Sequence, residues 1–359
     1  MTTAMVDGSA LPASARGPAP VSVRDWRPDD EAGWDAFVLE QPRATFFHQI
    51  GWKRVLEATF GYPACYLVAE RDGEMCGILP MFACRSIRGQ LGLYSLPHTV
   101  YGGPVGVDAA VEQAMLARVI EMSEELGTHS VEFRNRHATL LEMPALDGFV
   151  TFEKELPASP EDVYRTFPKK AREMINQARK RHKLEADFAG DLGAFYPLLA
   201  DSYRNLGTPV FPKSFFAAML REFAPTSSIL IVRHQDDPIA GVLSMEFRNT
   251  MMPIYSGEAA GAGRLKPNNF KYFRLMEYAV DRNLGRFDFG RSRLSNQGVV
   301  KFKVRQGFEA EALPYQTLVP TPSGIDPNRG IFAKVRRVWR KLPRPVARMA
   351  GPAIVKYFP

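Results

Sequence analysis

Residues 286–316 read RFDFGRSRLSNQGVVKFKVRQGFEAEALPYQ, a stretch in which a buried-looking strand runs into a polar Gly-Arg-Ser turn and then a basic hairpin. It has the look of the end of a transferase site. Asp288, Gly290, Arg291 and Ser292 sit in the turn, Lys303 in the hairpin. Arg291 and Ser292 project from a strand end, where substrates usually bind, and Asp288 is placed to accept a proton or to orient Arg291. Other chemistries lack their residues. The six histidines (His48, His98, His129, His137, His182 and His234) show no metal-ligand spacing, and there is no G-x-S-x-G elbow, so neither a metal site nor a serine triad is expected. Asp288-Phe289-Gly290 repeats a kinase triplet without the glycine loop or catalytic loop that would give it meaning. Cys65, Cys76 and Cys84 form no C-x-x-C pair and read as buried thiols of a reducing compartment.

The elements that must hold this turn occur twice. Residues 65–82 and 228–247 share an apolar strand, a short turn around a carboxylate, a glycine (Gly77, Gly241) and a second apolar strand. Downstream of each, a helical segment ends at a glycine (Gly127, Gly285) and leads into a short strand, 131–133 or 287–289. The order predicts an α/β (α+β) fold of two duplicated domains, each a mixed sheet flanked by helices. A leader of small residues and prolines fills 1–20, the first domain 21–150, the second 151–320, and a basic amphipathic tail 330–359. Helices are expected at 31–39, 52–59, 111–126, 191–205, 213–223 and 269–283, the last capped by Asn268 or Asn269. A basic helical region is expected at 161–183, and strands at 251–256, 302–307 and 312–319 close the second sheet.

The net charge is +7, yet 330–359 alone holds eight Lys or Arg and no acid, which leaves the remainder at −1. Bulk basicity therefore gives no reason to expect DNA as a partner. In the tail, Ile331, Phe332, Val335, Val338, Trp339 and Leu342 share one helical face and Lys334, Arg337, Arg340 and Lys341 the other. Such a helix lies on an anionic membrane surface or docks on the body. The 164–183 patch, with Lys169 and Arg172, is a place for phosphates. The loop 205–216, NLGTPVFPKSFF, is stiffened by two prolines into a candidate cleft wall carrying Phe211, with Tyr203 just before it and Tyr255 on the strand 251–256. GEAAGAGR, 257–264, follows a strand and precedes a helix, the position where backbone N–H groups hold an anion. Acyl-CoA N-acyltransferases of the GNAT type carry Q/R-x-x-G-x-G/A there, so Gly261 and Gly263 are the cofactor-binding candidates. Glu258 takes the place of the basic or amide residue and repels a pyrophosphate.

Taken together, PKKAREMINQARK (168–180), Y-x-x-L-G-T-P-V-F-P (203–212), LKPNNFKYFRLMEYAVDRNLGRFDFGRS (265–292) and the closing F-K-x-x-x-G (302–307) resemble the FemAB/FemX family and the related BioF2-like acyltransferases of GNAT fold. Within it, G-T-P-V-F-P, F-D-F-G-R-S and K-F-K-x-x-x-G are more similar to FemAB-like proteins associated with exosortase and PEP-CTERM surface systems. The resemblance implies tandem GNAT-like domains that transfer an acyl or aminoacyl group from an activated ester or thioester to an amine of a cell-envelope or exopolysaccharide precursor. Lys303 matches the family's lysine and is implied to stabilise an oxyanion or a neighbouring phosphate. Asn268, Tyr203, Phe211, Tyr255, Gly290 and Ser292 are implied to meet substrate. The donor is acyl-CoA or aminoacyl-tRNA, the acceptor a small molecule or a glycan or peptide precursor. No heptad run replaces the coiled-coil arm by which some members contact tRNA. A cytoplasmic protein is expected, peripheral to the inner membrane face where the tail makes contact.

Overall fold

The computed structural model describes residues 19–138, 143–318 and 330–359, so all but two residues of the expected leader lie outside the described part. In the N-terminal unit Ser22–Asp25, Leu67–Arg71 and Glu74–Leu79 form antiparallel neighbours, with Val105–Gly106 on the far edge. At Pro80, which has no N–H to give a ladder, the chain passes to a second sheet. There Met81–Arg85 pairs with Leu91–Ser95, and the helix Ala109–Glu125 crosses over to bring Ser130–Phe133 parallel to Leu91–Ser95. The C-terminal unit repeats the plan. Ser227–His234, Asp237–Phe247 and Thr250–Glu258 are antiparallel, and the helix Pro267–Asp281 crosses over to the parallel strand Arg286–Asp288.

Gly77 and Gly241 owe their identity to helices lying on the sheets: a Cβ at Gly77 would meet Val111 Cγ1 at 2.4 Å, and one at Gly241 would meet Phe195 Cδ2 at 2.9 Å. A side chain at either would push the covering helix away.

One strand crosses between the units: Gln316–Thr317, at the end of the second, pairs antiparallel with Ser130–Phe133 of the first, whereas Glu153–Glu155, at the start of the second, pairs antiparallel with Arg286–Asp288 of its own unit. The unit read as 151–320 therefore ends on the other unit's sheet. Aromatic packing reinforces the crossing: Phe46 stands 4.7 Å from Phe223, and Trp52 stands 5.4 Å from Phe223 and 6.4 Å from Phe215. All four of these rings, with Phe247 beside them, belong to one buried cluster that draws on both units.

Four expectations need correction. The segment 302–307 is not a strand but part of the helix Gln297–Arg305, whose Asn296 side chain accepts from the Val299 N–H. Its inward positions include Lys303 and Gln306, both buried, so polar residues hid the helical period. Neither Asn268 nor Asn269 caps the helix Pro267–Asp281; Lys266 holds the N-cap position at φ 62° without a side-chain bond, and Asn268 is bonded elsewhere. The basic region is broken around Pro168 into Pro160–Val163, Lys169–Asn176 and a wider turn at Gln177–Arg181. The closing segment splits into Glu311–Ala312 and Gln316–Thr317 on different sheets. In the tail, Gly330–Trp339 and a second helix, Arg344–Val355, form; the side chains of Ile331 and Phe332 lie outside the described part.

Candidate functional site

The turn after Arg286–Asp288 is built from both units. Gly290 adopts φ 66°, which glycine permits without a Cβ penalty, and its N–H donates to Asp288 Oδ1 at 2.7 Å. Lys303 reaches in from its helix and donates to the carbonyls of Phe289 and Gly290, each at 2.8 Å, and of Arg291 at 3.4 Å. The ammonium is buried, and burial brings its pKa down to about 7. Asp288 is buried as well, and burial, helped by nearby Glu153, raises its carboxyl to about 6. The N-terminal unit supplies Tyr101, whose hydroxyl donates to Asp288 Oδ1 at 3.3 Å and lies 2.6 Å from Thr151 Oγ1.

Arg291 leaves the turn alongside a pair of aromatic rings, its guanidinium 5.1 Å from the Phe149 ring centre and 5.6 Å from that of Tyr315. Those rings stack at 5.0 Å, and the Tyr315 hydroxyl donates to the Val100 carbonyl, so the N-terminal unit fixes the pair. Ser292 Oγ is buried without a protein partner. Asp288, Gly290, Arg291, Ser292 and Lys303 are thus brought together at one turn.

The candidate wall residues form an aromatic cluster. Phe211 stands 5.7 Å from Tyr255, 6.3 Å from Tyr203 and 5.1 Å from His98 of the N-terminal unit. His98, half-buried against these rings, has its pKa lowered to about 3 by desolvation, and its Nε2 lies 2.9 Å from the Tyr62 hydroxyl. A cavity of about 350 Å³ opens beside the Phe149–Tyr315 stack, lined by Arg136, His137, Leu146, Asp147, Glu311 and Leu313 among others. None of the residues singled out in the sequence lines it.

The glycine loop forms a second locus. Gly261, at φ 80°, and Gly263 have open space where a Cβ would stand. Next to them Glu258 accepts from Asn268 Nδ2 at 2.7 Å, and Lys271 Nζ donates to Asn268 Oδ1 at 2.7 Å and to Ser256 Oγ at 2.6 Å. Burial brings Lys271 down to about 7. Lys169 is exposed and Arg172 lies over the Tyr164 ring at 5.9 Å; among the described contacts neither touches the turn or the loop. Sequence reasoning missed Lys271, Tyr101, Phe149 and Tyr315. Lys271 is flanked in its helix by the buried Phe270, Phe273 and Leu275, and a lysine among such positions signals a buried acceptor; the others carry no local signal.

Residues 165–303 match the family described as Acetyltransferase (GNAT) domain. No curated protein matches the chain. Among solved structures, FemX is similar with a TM-score of 0.62 at 12% identity, over 83% of this chain and 97% of that one. A tandem GNAT protein from the clavulanic acid biosynthesis pathway gives 0.53 at 10% identity, over 85% and 100%. L-PGS from Bacillus licheniformis gives 0.50 at 14% identity, over 88% and 97%. The matched segment carries the GNAT acetyltransferase pattern, and the shared architecture is that of tandem GNAT-like domains. At these identities, likeness to the individual structures speaks for the fold they share.

Proposed function

We propose that the protein is a FemAB-like N-acyltransferase or aminoacyltransferase whose acceptor is an amine of a cell-envelope or exopolysaccharide precursor, in the setting of an exosortase-type surface system. The observation that carries the reading is the Asp288–Arg291 turn, formed by the C-terminal unit and completed by Tyr101, Phe149 and Tyr315 around it. Acyl transfer to an amine needs alignment, a cation for the developing oxyanion and an acceptor for the amine proton, and it needs no covalent nucleophile. Arg291, half-buried beside two stacked rings, answers the second requirement in surroundings that screen it less than water does. Asp288, with a proton affinity raised to about 6, answers the third. The amine nitrogen forms a bond to the carbonyl carbon and the ester C–O or thioester C–S bond breaks. The proton leaves the amine for Asp288 and is returned to the leaving oxygen or sulfur. Lys303 acts through the backbone, holding the carbonyls that set the turn.

Of the two donors, aminoacyl-tRNA and acyl-CoA, Glu258 beside the glycine loop favours the first, because a carboxylate repels a diphosphate there. The test supplies cell extract with labelled aminoacyl-tRNA or labelled acetyl-CoA and follows small molecules by mass spectrometry. An amide-forming mass gain that depends on the protein, and that falls about 100-fold or more in Arg291→Ala, is expected. Gain independent of Arg291, or none with either donor, removes the proposal.

A further inference from the structure

The C-terminal helices have one face bolted to the body and another with no partner among the described residues. On the inner side Trp339 and Val355 are buried, Arg344 and Arg348 pair with Asp201 at 3.3 and 3.1 Å, and Arg204 Nε donates to the Leu342 carbonyl at 2.5 Å. Arg336 Nη2 donates to the Leu206 carbonyl at 2.7 Å, and the Tyr62 hydroxyl donates to the Lys356 carbonyl at 2.5 Å. A Cβ at Gly351 would stand 2.9 Å from Val210 N, so the second helix lies directly on the loop that leads into Phe211.

The outer side has a different composition. Lys334, Val335, Arg337, Val338 and Lys341 are all exposed, and their three- and four-residue spacing sets the cations on one arc beside the two valines. On the second helix Val346 and Met349 are exposed, at 45% and 79%, followed by Tyr357 and Phe358 at 36% and 40%. Six of the fifteen exposed large hydrophobic residues in the described chain fall in this short tail, so the concentration is not the ordinary scatter of apolar atoms on a surface.

We infer that the outer face of the two C-terminal helices docks on an anionic lipid bilayer. Apolar side chains flanked by unpaired cations, with no acid between 330 and 359, match a surface of phosphate headgroups over acyl chains. RNA offers the phosphates but no acyl layer for Val335, Val338 and Met349 to enter. The contact is interfacial, since among the described residues no helix is long and apolar enough to cross a membrane. Because the inner face is fixed to Tyr62, Asp201, Arg204 and Val210, docking holds the aromatic cluster around Phe211 next to the lipid surface.

The experiment is co-sedimentation of the full chain with vesicles of phosphatidylcholine containing phosphatidylglycerol, and with phosphatidylcholine alone. Binding is expected with the anionic vesicles, weakening as salt is raised. It is expected to fall at least tenfold in Val338→Glu/Met349→Glu and, separately, in Lys334→Gln/Arg337→Gln/Lys341→Gln, with thermal midpoints kept because these side chains are exposed. No binding, equal binding to both vesicle types, or variants that pellet like the parent would overturn the inference. So would binding of bulk tRNA that needs the same residues while vesicles stay free. No transferase assay enters, so the result stands apart from the proposed reaction.

Discussion

Arg291 and Lys303 bring the same charge to the same turn and answer to different tests. Lys303 is buried against three carbonyls, so Lys303→Met leaves those acceptors unpaired and should cost on the order of 2–3 kcal/mol of folding stability. Arg291→Ala removes a half-buried guanidinium from beside two rings and should cost about 1 kcal/mol or less while abolishing transfer. Denaturant midpoints for the two variants check this, and equal losses would assign both to structure. Protonation gives a second prediction. Burial holds Lys271 and Lys303 near 7, below their ordinary 10.5. Between those values the unfolded chain binds more protons than the folded one, so the penalty is full below about 7 and lifts as pH rises. The thermal midpoint should therefore climb from pH 7 toward about pH 9, and climb less in Lys303→Met. Asp288 works in the opposite sense, its raised value costing stability as pH rises from 3.8 to about 6, below that window. A midpoint that stays level or drops over the alkaline interval contradicts the burial of both lysines.

At the scale of elements, the loop between Thr250–Glu258 and Pro267–Asp281 has the position and open glycines of an anion cradle but the wrong charge at its entrance. Glu258→Gln keeps an acceptor for Asn268 Nδ2 and removes the repulsion. Calorimetric titration with CoA is expected to show about tenfold or greater tightening in Glu258→Gln over the parent, since removing a like charge at close range is worth about 1–2 kcal/mol. Unchanged affinity would mean that the loop does not receive the diphosphate at all. The loop and its glycines were legible in the sequence because positive φ and strand-turn-helix order leave local marks. The Glu258–Asn268–Lys271–Ser256 chain was not, because a helix residue's partner on a neighbouring strand leaves none.

For the whole molecule, the crossing strand and the shared aromatic cluster make the two units one folding problem. Residues 19–150 alone would lack the strand Gln316–Thr317 and expose Phe46 and Trp52, and residues 151–318 alone would expose Phe215 and Phe223. Expressed singly, each half is expected to aggregate or to lack a cooperative transition; expressed together, they should co-purify as a complex. Two separately soluble, cooperatively melting halves would contradict the interlocked core. Trp52→Ala in the intact chain should lower stability by about 3–5 kcal/mol, the usual cost of deleting a buried ring at such a junction.

The duplication was readable from the chain by itself, because each hairpin, crossover helix and short parallel strand imprints its own period and its own glycines. So were the residues of the Asp288–Ser292 turn, which share a few consecutive positions. The helical state of 297–305 was hidden, since Lys303 and Gln306 face inward and mimic a surface pattern. The crossing strand, the packing of Arg291 against the Phe149–Tyr315 stack and the reach of Tyr101 to Asp288 were decided by tertiary structure alone. Their partners stand far apart along the chain, and distant pairing depends on how two sheets share an edge, a quantity that no local run of residues encodes.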